Sequence, residues 1–151
     1  AELDDIIYLA KKYKISAIIA SNLAKDKTKL ELKSKNQDKP GGISGQPARN
    51  RSTKTIAYLY QNSEGKYKVI GTGGVFSGHD AYQKIKAGAN LVQLITGLIY
   101  NGPTTVNIIN KQLENLIQHD NFKHISEAVG IESDQYTLWK KNIKIITNTE
   151  I

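Results

Sequence analysis

Three glycines fall within four residues at Gly71-Thr72-Gly73-Gly74, directly after Val69-Ile70 and directly before Val75-Phe76-Ser77-Gly78. Without a Cβ, a glycine leaves its backbone N–H open to close approach and takes up turn conformations that other residues resist. A short β-branched strand that ends in such a cluster and leads into a helix at Ser77 suits the binding of an anion, phosphate above all. The backbone amides and the positive end of the helix would face the same spot. Two common phosphate fingerprints are absent: the dinucleotide-binding pattern needs a glycine where Phe76 stands, and no Gly-Lys-Ser/Thr occurs. Taken alone, the cluster fits a ligand-free βα turn equally well.

The next unit shifts that balance. Leu91-Val92-Gln93-Leu94-Ile95 reads as a second apolar strand, and it too ends in a glycine turn, Thr96-Gly97. Between the strands, the spacing predicts a helix over 77–87. Ser77 and Asp80 form a capping box, Ala81 and Ile85 share one face, and Gly88 stands at the C′ position. Strand, helix and strand at this spacing predict a right-handed βαβ unit with parallel strands. Two neighbouring parallel strands that both end in glycine turns match the phosphate site above strands seven and eight of a (β/α)8 barrel. His79, His119 and His124 offer no alternative chemistry. The first stands at a helix start and the others near a helix end, at a spacing unsuited to two ligands on one helical face, so each reads as a surface residue and no metal is expected.

Other elements must hold these two turns in place. Leu3, Ile6, Ile7, Ala10 and Tyr13 predict an amphipathic helix over 2–13, and Ile15–Ala20 a short buried strand ending in Ser21-Asn22. The lysine-rich stretch 25–39 reads as a mobile loop, and 40–47 as a glycine-rich turn bounded by prolines. Ser52 is expected to cap a helix over 53–63 with Ile56, Leu59 and Tyr60 inward, ended by Gly65 before a strand at 67–71. A further helix is expected to start with Pro103 at its first position and to bury Val106, Ile109, Leu113, Leu116 and Ile117. A short helix near 123–129 closes on Gly130. Residues 131–151, with Trp139 and a strand-like 143–146, form an extension beyond the 1–130 unit.

The chain has 151 residues, 39% of them hydrophobic, enough for one domain with a lean core. Cysteine is absent, which excludes disulfides and thiolate metal sites and fits a reducing compartment. No run approaches a membrane span. The net charge of +7 raises the question of nucleic acid. Its lysines are dispersed and interleaved with acids, and no aromatic and basic stacking motif is present, so a solvated basic surface is the expectation, with no nucleic-acid partner. Methionine is absent, and the first helix runs straight into a strand without a strand before it. We therefore expect a chain that was either trimmed or begins partway through a longer protein.

Six motifs in order carry a more specific signal: Gly41-Gly42-Ile43-Ser44-Gly45, Arg51-Ser52-Thr53, Val69-Ile70-Gly71-Thr72-Gly73-Gly74-Val75, Ala87-Gly88-Ala89-Asn90-Leu91-Val92-Gln93, Thr96-Gly97 and Gly102-Pro103. Together they resemble the C-terminal part of the quinone-linked (class 2) dihydroorotate dehydrogenases, FMN-containing (β/α)8 barrels of pyrimidine synthesis. Ile125–Gly130 is similar to that family's usual C-terminus. The resemblance implies an α/β fold comprising about strands six to eight of a TIM barrel with their helices, an incomplete barrel. It implies flavin contacts at Ser21, Ser44 and Gly45, a grip on the FMN phosphate by Gly73, Gly74 and Thr96 with Ile95 at a tyrosine position, and orotate contacts at Asn22 and Leu23. Leu23 and Ala24 stand where the family has two threonines, and Thr72 where it has a valine.

The family's catalytic serine base, its flavin-contacting lysine and its membrane-docking helices would precede Ala1, so no catalytic residue is expected in this chain. The partners implied are dihydroorotate or orotate and a membrane quinone. The location implied is cytoplasmic, with the intact enzyme peripheral on the inner membrane. The chain alone is expected to be inert. The alternative is a phosphate-binding half-barrel without redox chemistry, either a decayed remnant or a module that self-associates through its open strand edges.

Overall fold

The computed structural model describes residues 2–28, 30, 32 and 39–136. Trp139, the strand-like 143–146 and much of the expected 25–39 loop lie outside the described residues. Helix α1 (Glu2–Lys12) leads into strand β1 (Ala17–Ala20). Helix α2 (Arg49–Gln61), strand β2 (Lys68–Thr72), helix α3 (Gly78–Lys86) and strand β3 (Leu91–Gln93) follow. Helix α4 (Thr96–Asn101) and helix α5 (Thr105–His119) complete the regular elements, and single 3-10 turns stand at Gln46–Ala48, Ile125–Ala128 and Ser133–Tyr136. The three strands form one parallel sheet in the order β1-β2-β3, with Ile19, Ile70 and Leu91 in one row across it.

Alternation along the strands decides which face is covered. Ile18, Ala20, Val69 and Val92 point toward the helices, where Ile56, Ala57 and Leu59 of α2 pack with Ala87 and Ala89. Ile56 and Val69 are fully buried, and full burial of each such side chain contributes about 1.5 to 3 kcal/mol. A second cluster joins Ala81 and Val75 to Ile109 of α5. A third joins Tyr82 and Ile85 to Ala128, Leu113, Leu116 and Ile117. The opposite sheet face carries Ile19 and Leu91, both exposed.

The α3 expectation holds closely: the Ser77 hydroxyl accepts from the Asp80 N–H at 3.2 Å, and Gly88 follows the C-cap at φ +123°. Four local expectations are corrected. Helix α2 begins at Arg49, because the turn over Gln46–Ala48 runs directly into it, so Ser52 lies inside the helix and caps nothing. Strand β3 ends at Gln93, opposite Thr72, because β2 turns away there into Gly73-Gly74 and leaves Leu94 and Ile95 without a ladder partner. A short helix, α4, occupies the Thr96-Gly97 turn. Helix α5 starts at Thr105, leaving Pro103 in the turn, and its buried face is phased on Thr105 and Ile109, which leaves Val106 44% exposed.

Residues 131–136 pack back on the βα units. The Glu132 N–H donates to the Lys86 carbonyl at 2.9 Å, and Gln61 Nε2 donates to the Ser133 carbonyl at 2.7 Å.

Candidate cofactor-binding cleft

The cleft lies at the C-terminal ends of the three strands and has a volume of about 370 Å³, in the range of small-molecule sites. Each strand contributes one wall. Ser21, Asn22 and Leu23 follow β1, Gly73 and Gly74 follow β2, and Ile95, Thr96 and Gly97 follow β3. Ser44 and Gly45 form the outer wall. All nine residues expected at the site from sequence (Ser21, Asn22, Leu23, Ser44, Gly45, Gly73, Gly74, Ile95 and Thr96) line this one cleft.

Two contacts close the outer wall against the strand ends. Ala24 and Ile43 exchange backbone hydrogen bonds of 2.9 Å each way, an isolated bridge that fastens the loop after β1 to the glycine-rich loop. The Thr96 hydroxyl donates to the Ser44 hydroxyl at 3.1 Å, joining that loop to the end of β3.

The β2 turn is the most heavily supported part. Gly73 has φ +106° and Gly74 φ +74°, conformations that side-chain-bearing residues rarely adopt. Among the described residues, no acceptor takes the N–H of Gly73 or Gly74, so both donors remain for a ligand. Behind the turn, Arg49 Nε donates to the Gly74 carbonyl at 3.0 Å while Arg49 Nη1 pairs with Asp80 Oδ1 at 3.0 Å. Asp80 also accepts from the Phe76 N–H at 3.0 Å and from the Ser77 hydroxyl at 2.9 Å. The Ser52 hydroxyl donates to the Thr72 carbonyl and accepts from Lys84 Nζ at 3.0 Å.

The positive end of α3 does not take part as expected. The cleft lining stops at Val75, and Gly78 N–H, inside the first turn, donates to Gln112 Oε1 at 2.6 Å. Protein groups already occupy the Phe76, Gly78 and Asp80 amides, so the N–H groups left open at the cleft are those of the glycine turn itself.

Arg49 and Lys84 escaped the sequence reading, and Asp80 was read only as half of the α3 capping box. Lys84 had a signal: it sits one residue from Ile85 and three from Ala81, on the helix face the 3.6-residue period turns inward. It is completely buried, and burial first, then the neighbouring Arg49 charge, push its amine down to about 8, with Asp80 opposing. The three histidines lie outside the cleft lining. His119 pairs with Asp120, and His124 caps the turn at Ser126, as expected of surface residues. Among the described residues, no group of His, Asp and Glu could hold a metal ion. None of their helices is long and apolar enough to cross a membrane.

Against known proteins, residues 1–117 match the family model described as dihydroorotate dehydrogenase. The chain belongs to the dihydroorotate dehydrogenase family. It is 44% identical over 133 residues to the dihydroorotate dehydrogenase (quinone) of Crocosphaera subtropica, covering 84% of this chain and 35% of that protein. It is 42% identical to the dihydroorotate dehydrogenase (quinone) of Nostoc punctiforme, over 85% of this chain and 36% of that one. The chain thus spans about a third of the length of these curated relatives. The ligand-free DHODH from Eimeria tenella superposes with a TM-score of 0.82 at 30% identity, covering 87% of this chain and 36% of that structure. The parallel sheet and its helices are part of the α/β barrel of dihydroorotate dehydrogenases, and the family match favours that reading over a half-barrel unrelated to redox chemistry.

Proposed function

We propose that this chain supplies the phosphate grip and part of the orotate pocket of a dihydroorotate dehydrogenase (quinone), acting in de novo pyrimidine synthesis. The observation that carries the reading is the convergence of the glycine turn after β2 and Thr96 after β3 on one cleft, with two unclaimed N–H groups at positive φ. These donors suit the doubly charged phosphate of FMN. A cleft of this volume, walled by Ser21, Ser44, Gly45 and Ile95, suits part of an isoalloxazine ring.

When bound, FMN supplies the redox chemistry, accepting a hydride from dihydroorotate and passing electrons to a membrane quinone. The residues of this chain bind and orient. Gly73, Gly74 and Thr96 fix the phosphate. Asn22 offers an amide to the pyrimidine, and Leu23 presents an apolar side chain beside it where a hydroxyl would hydrogen-bond. Among the described residues, no carboxylate, imidazole or amine lines the cleft, and Ser21 and Ser44 are assigned to flavin contacts, so the base comes from outside these residues and the chain alone turns nothing over. In the intact enzyme, the bare edges of β1 and β3 pair with further barrel strands, and the protein works at the membrane surface.

The test is flavin binding by the purified 151-residue chain, followed by quenching of flavin fluorescence. FMN should bind more tightly than riboflavin, which lacks the phosphate, and dihydroorotate should not bleach the bound flavin. Equal affinity for the two flavins, or turnover by the chain alone, would overturn the proposal.

A further inference from the structure

We infer that Lys84 is a positioning residue for the phosphate grip: its buried ammonium fixes the backbone under the Gly73-Gly74 turn through Ser52 and supplies a positive charge beneath the bound dianion. This rests on the phosphate reading above and deepens it.

The geometry is a short chain of contacts from the core to the cleft. Lys84 Nζ donates to the Ser52 hydroxyl at 3.0 Å and to the Thr53 hydroxyl at 3.3 Å, and Ser52 in turn donates to the Thr72 carbonyl. Thr72 is the last residue of β2, and its carbonyl shares one planar peptide group with the Gly73 N–H. Ser52 also packs directly under that glycine, 3.3 Å from where a Cβ would stand. Lys84, Ser52 and Thr53 are all buried, so water does not screen the charge.

A buried ammonium is normally met by a carboxylate, because an unpaired charge in a dry interior is costly. Among the described residues, no carboxylate lies within salt-bridge distance of Lys84. Asp80, one turn back on α3, is taken up by Arg49, Ser77 and the Phe76 N–H. Two neutral hydroxyls hold the ammonium, and its charge is left to act on the turn above. A phosphate at Gly73 and Gly74 is the missing counter-charge.

The linkage has a definite sign. The charged groups that face the Lys84 amine are Arg49 of α2, which lowers its affinity for a proton, and Asp80 of α3, which raises it, while burial lowers it most, to about 8. A bound dianion favours the protonated form, so above that pH binding must draw in a proton, and affinity falls as pH rises. The phosphate itself has its second ionisation near about pH 6 and stays a dianion throughout.

The experiment measures FMN and riboflavin affinity of the full chain between pH 7 and pH 9. For the unmodified chain, FMN affinity should fall by up to about tenfold across that range, with riboflavin flat. Lys84→Arg, which stays charged, should flatten the FMN profile. Lys84→Met should weaken FMN about tenfold at pH 7 and leave riboflavin unchanged, an effect that a merely structural lysine would not confine to the phosphorylated flavin. Should Lys84→Met fail to fold, the pH profile of the unmodified chain decides. A chain that prefers FMN with no pH dependence refutes the role of Lys84 alone. A chain with no preference for FMN refutes the phosphate reading as well.

Discussion

The loops that follow β1 and β2 lie side by side above the same sheet and are built in opposite ways. After β2, the Gly73-Gly74 turn rests on Ser52, Arg49, Asp80 and Lys84, each hydrogen-bonded to another or to the turn. After β1, Ser21, Asn22 and Leu23 have little beneath them. The Ser21 N–H reaches the Thr72 carbonyl at 3.4 Å, the Leu23 N–H is satisfied locally by the Asn22 side chain at 2.8 Å, and Leu23 is 52% exposed. The Gly73-Gly74 end of the cleft, proposed to hold phosphate, is built directly on the core. The Ser21–Leu23 end, proposed to meet orotate, is a surface loop fastened through the neighbouring Ala24 to Ile43.

The largest effect should come from the braced side. In Gly74→Ala, the residue would have to keep φ +74° with its Cβ 2.6 Å from Arg49 Cβ and 2.8 Å from Arg49 Cα. Positive-φ strain and overpacking against backbone each cost about 1 to 3 kcal/mol. Urea unfolding should therefore register a loss of about 4 kcal/mol, together with the disappearance of FMN binding. A neutral Gly74→Ala would mean that the turn is free to move and the contrast with β1 is false.

Next comes the packing beneath the same turn. Ile56 is fully buried between α2 and β2, and Ile56→Ala should cost about 3 kcal/mol by creating a cavity. The comparison is sharpened by the flavin readout: in folded protein, the FMN preference over riboflavin should persist, because Ile56 does not line the cleft. Leu23→Thr, on the loose side, should shift stability by no more than about 0.5 kcal/mol. Its effect belongs to orotate, which the added hydroxyl can hydrogen-bond, and binding of orotate to the flavin-loaded chain should improve. A large stability change in Leu23→Thr would show that the β1 loop is as firmly set as its neighbour.

The same contrast explains what the sequence disclosed. Gly73, Gly74 and the α3 capping box follow from local rules that act within a few residues, and the structure has them where the pattern puts them. The support beneath the turn is a tertiary fact: Arg49 reaches Gly74 across 25 positions, and Lys84 reaches Ser52 across 32. No local rule encodes that pairing. Ser52 illustrates the cost of reading locally. A serine ahead of an apolar period looks like a cap, yet its hydroxyl serves the Thr72 carbonyl on strand β2. Pro103 misled for a similar reason, since its fixed φ suits a turn as readily as a first helical position, and the contact of α5 with Gly78 sets the phase instead. The part of the cleft that resemblance rather than local pattern supplied, Ser21 to Leu23 and Ser44, is the part whose placement depends on the Ala24 to Ile43 bridge between loops.

The smallest expected effect lies farthest from the cleft. Glu64, fully exposed in the turn before β2, sits between Lys11 at 2.7 Å and Lys66 at 2.8 Å, and the hydrogen bond from Lys11 first, then that from Lys66, hold its carboxyl at about 2 instead of 4.5. A carboxyl whose pKa is depressed on folding stabilises the fold above its unfolded value and loses that contribution as pH falls through the folded one. The window is thus from about 4.5 down to about 2. Surface pairs of this kind are screened by salt, so the contribution should shrink as ionic strength rises. Glu64→Gln should remove a small share of the acid-side loss of stability at low salt and none at high salt, measured as the difference in unfolding midpoint between pH 5 and pH 3. The FMN affinity of Glu64→Gln should match that of the unmodified chain at both ionic strengths, since Lys11 anchors α1 to the far end of β2. If it does not, the strand transmits strain from one end to the other, and the brace under Gly73 and Gly74 is less self-contained than its hydrogen bonds imply.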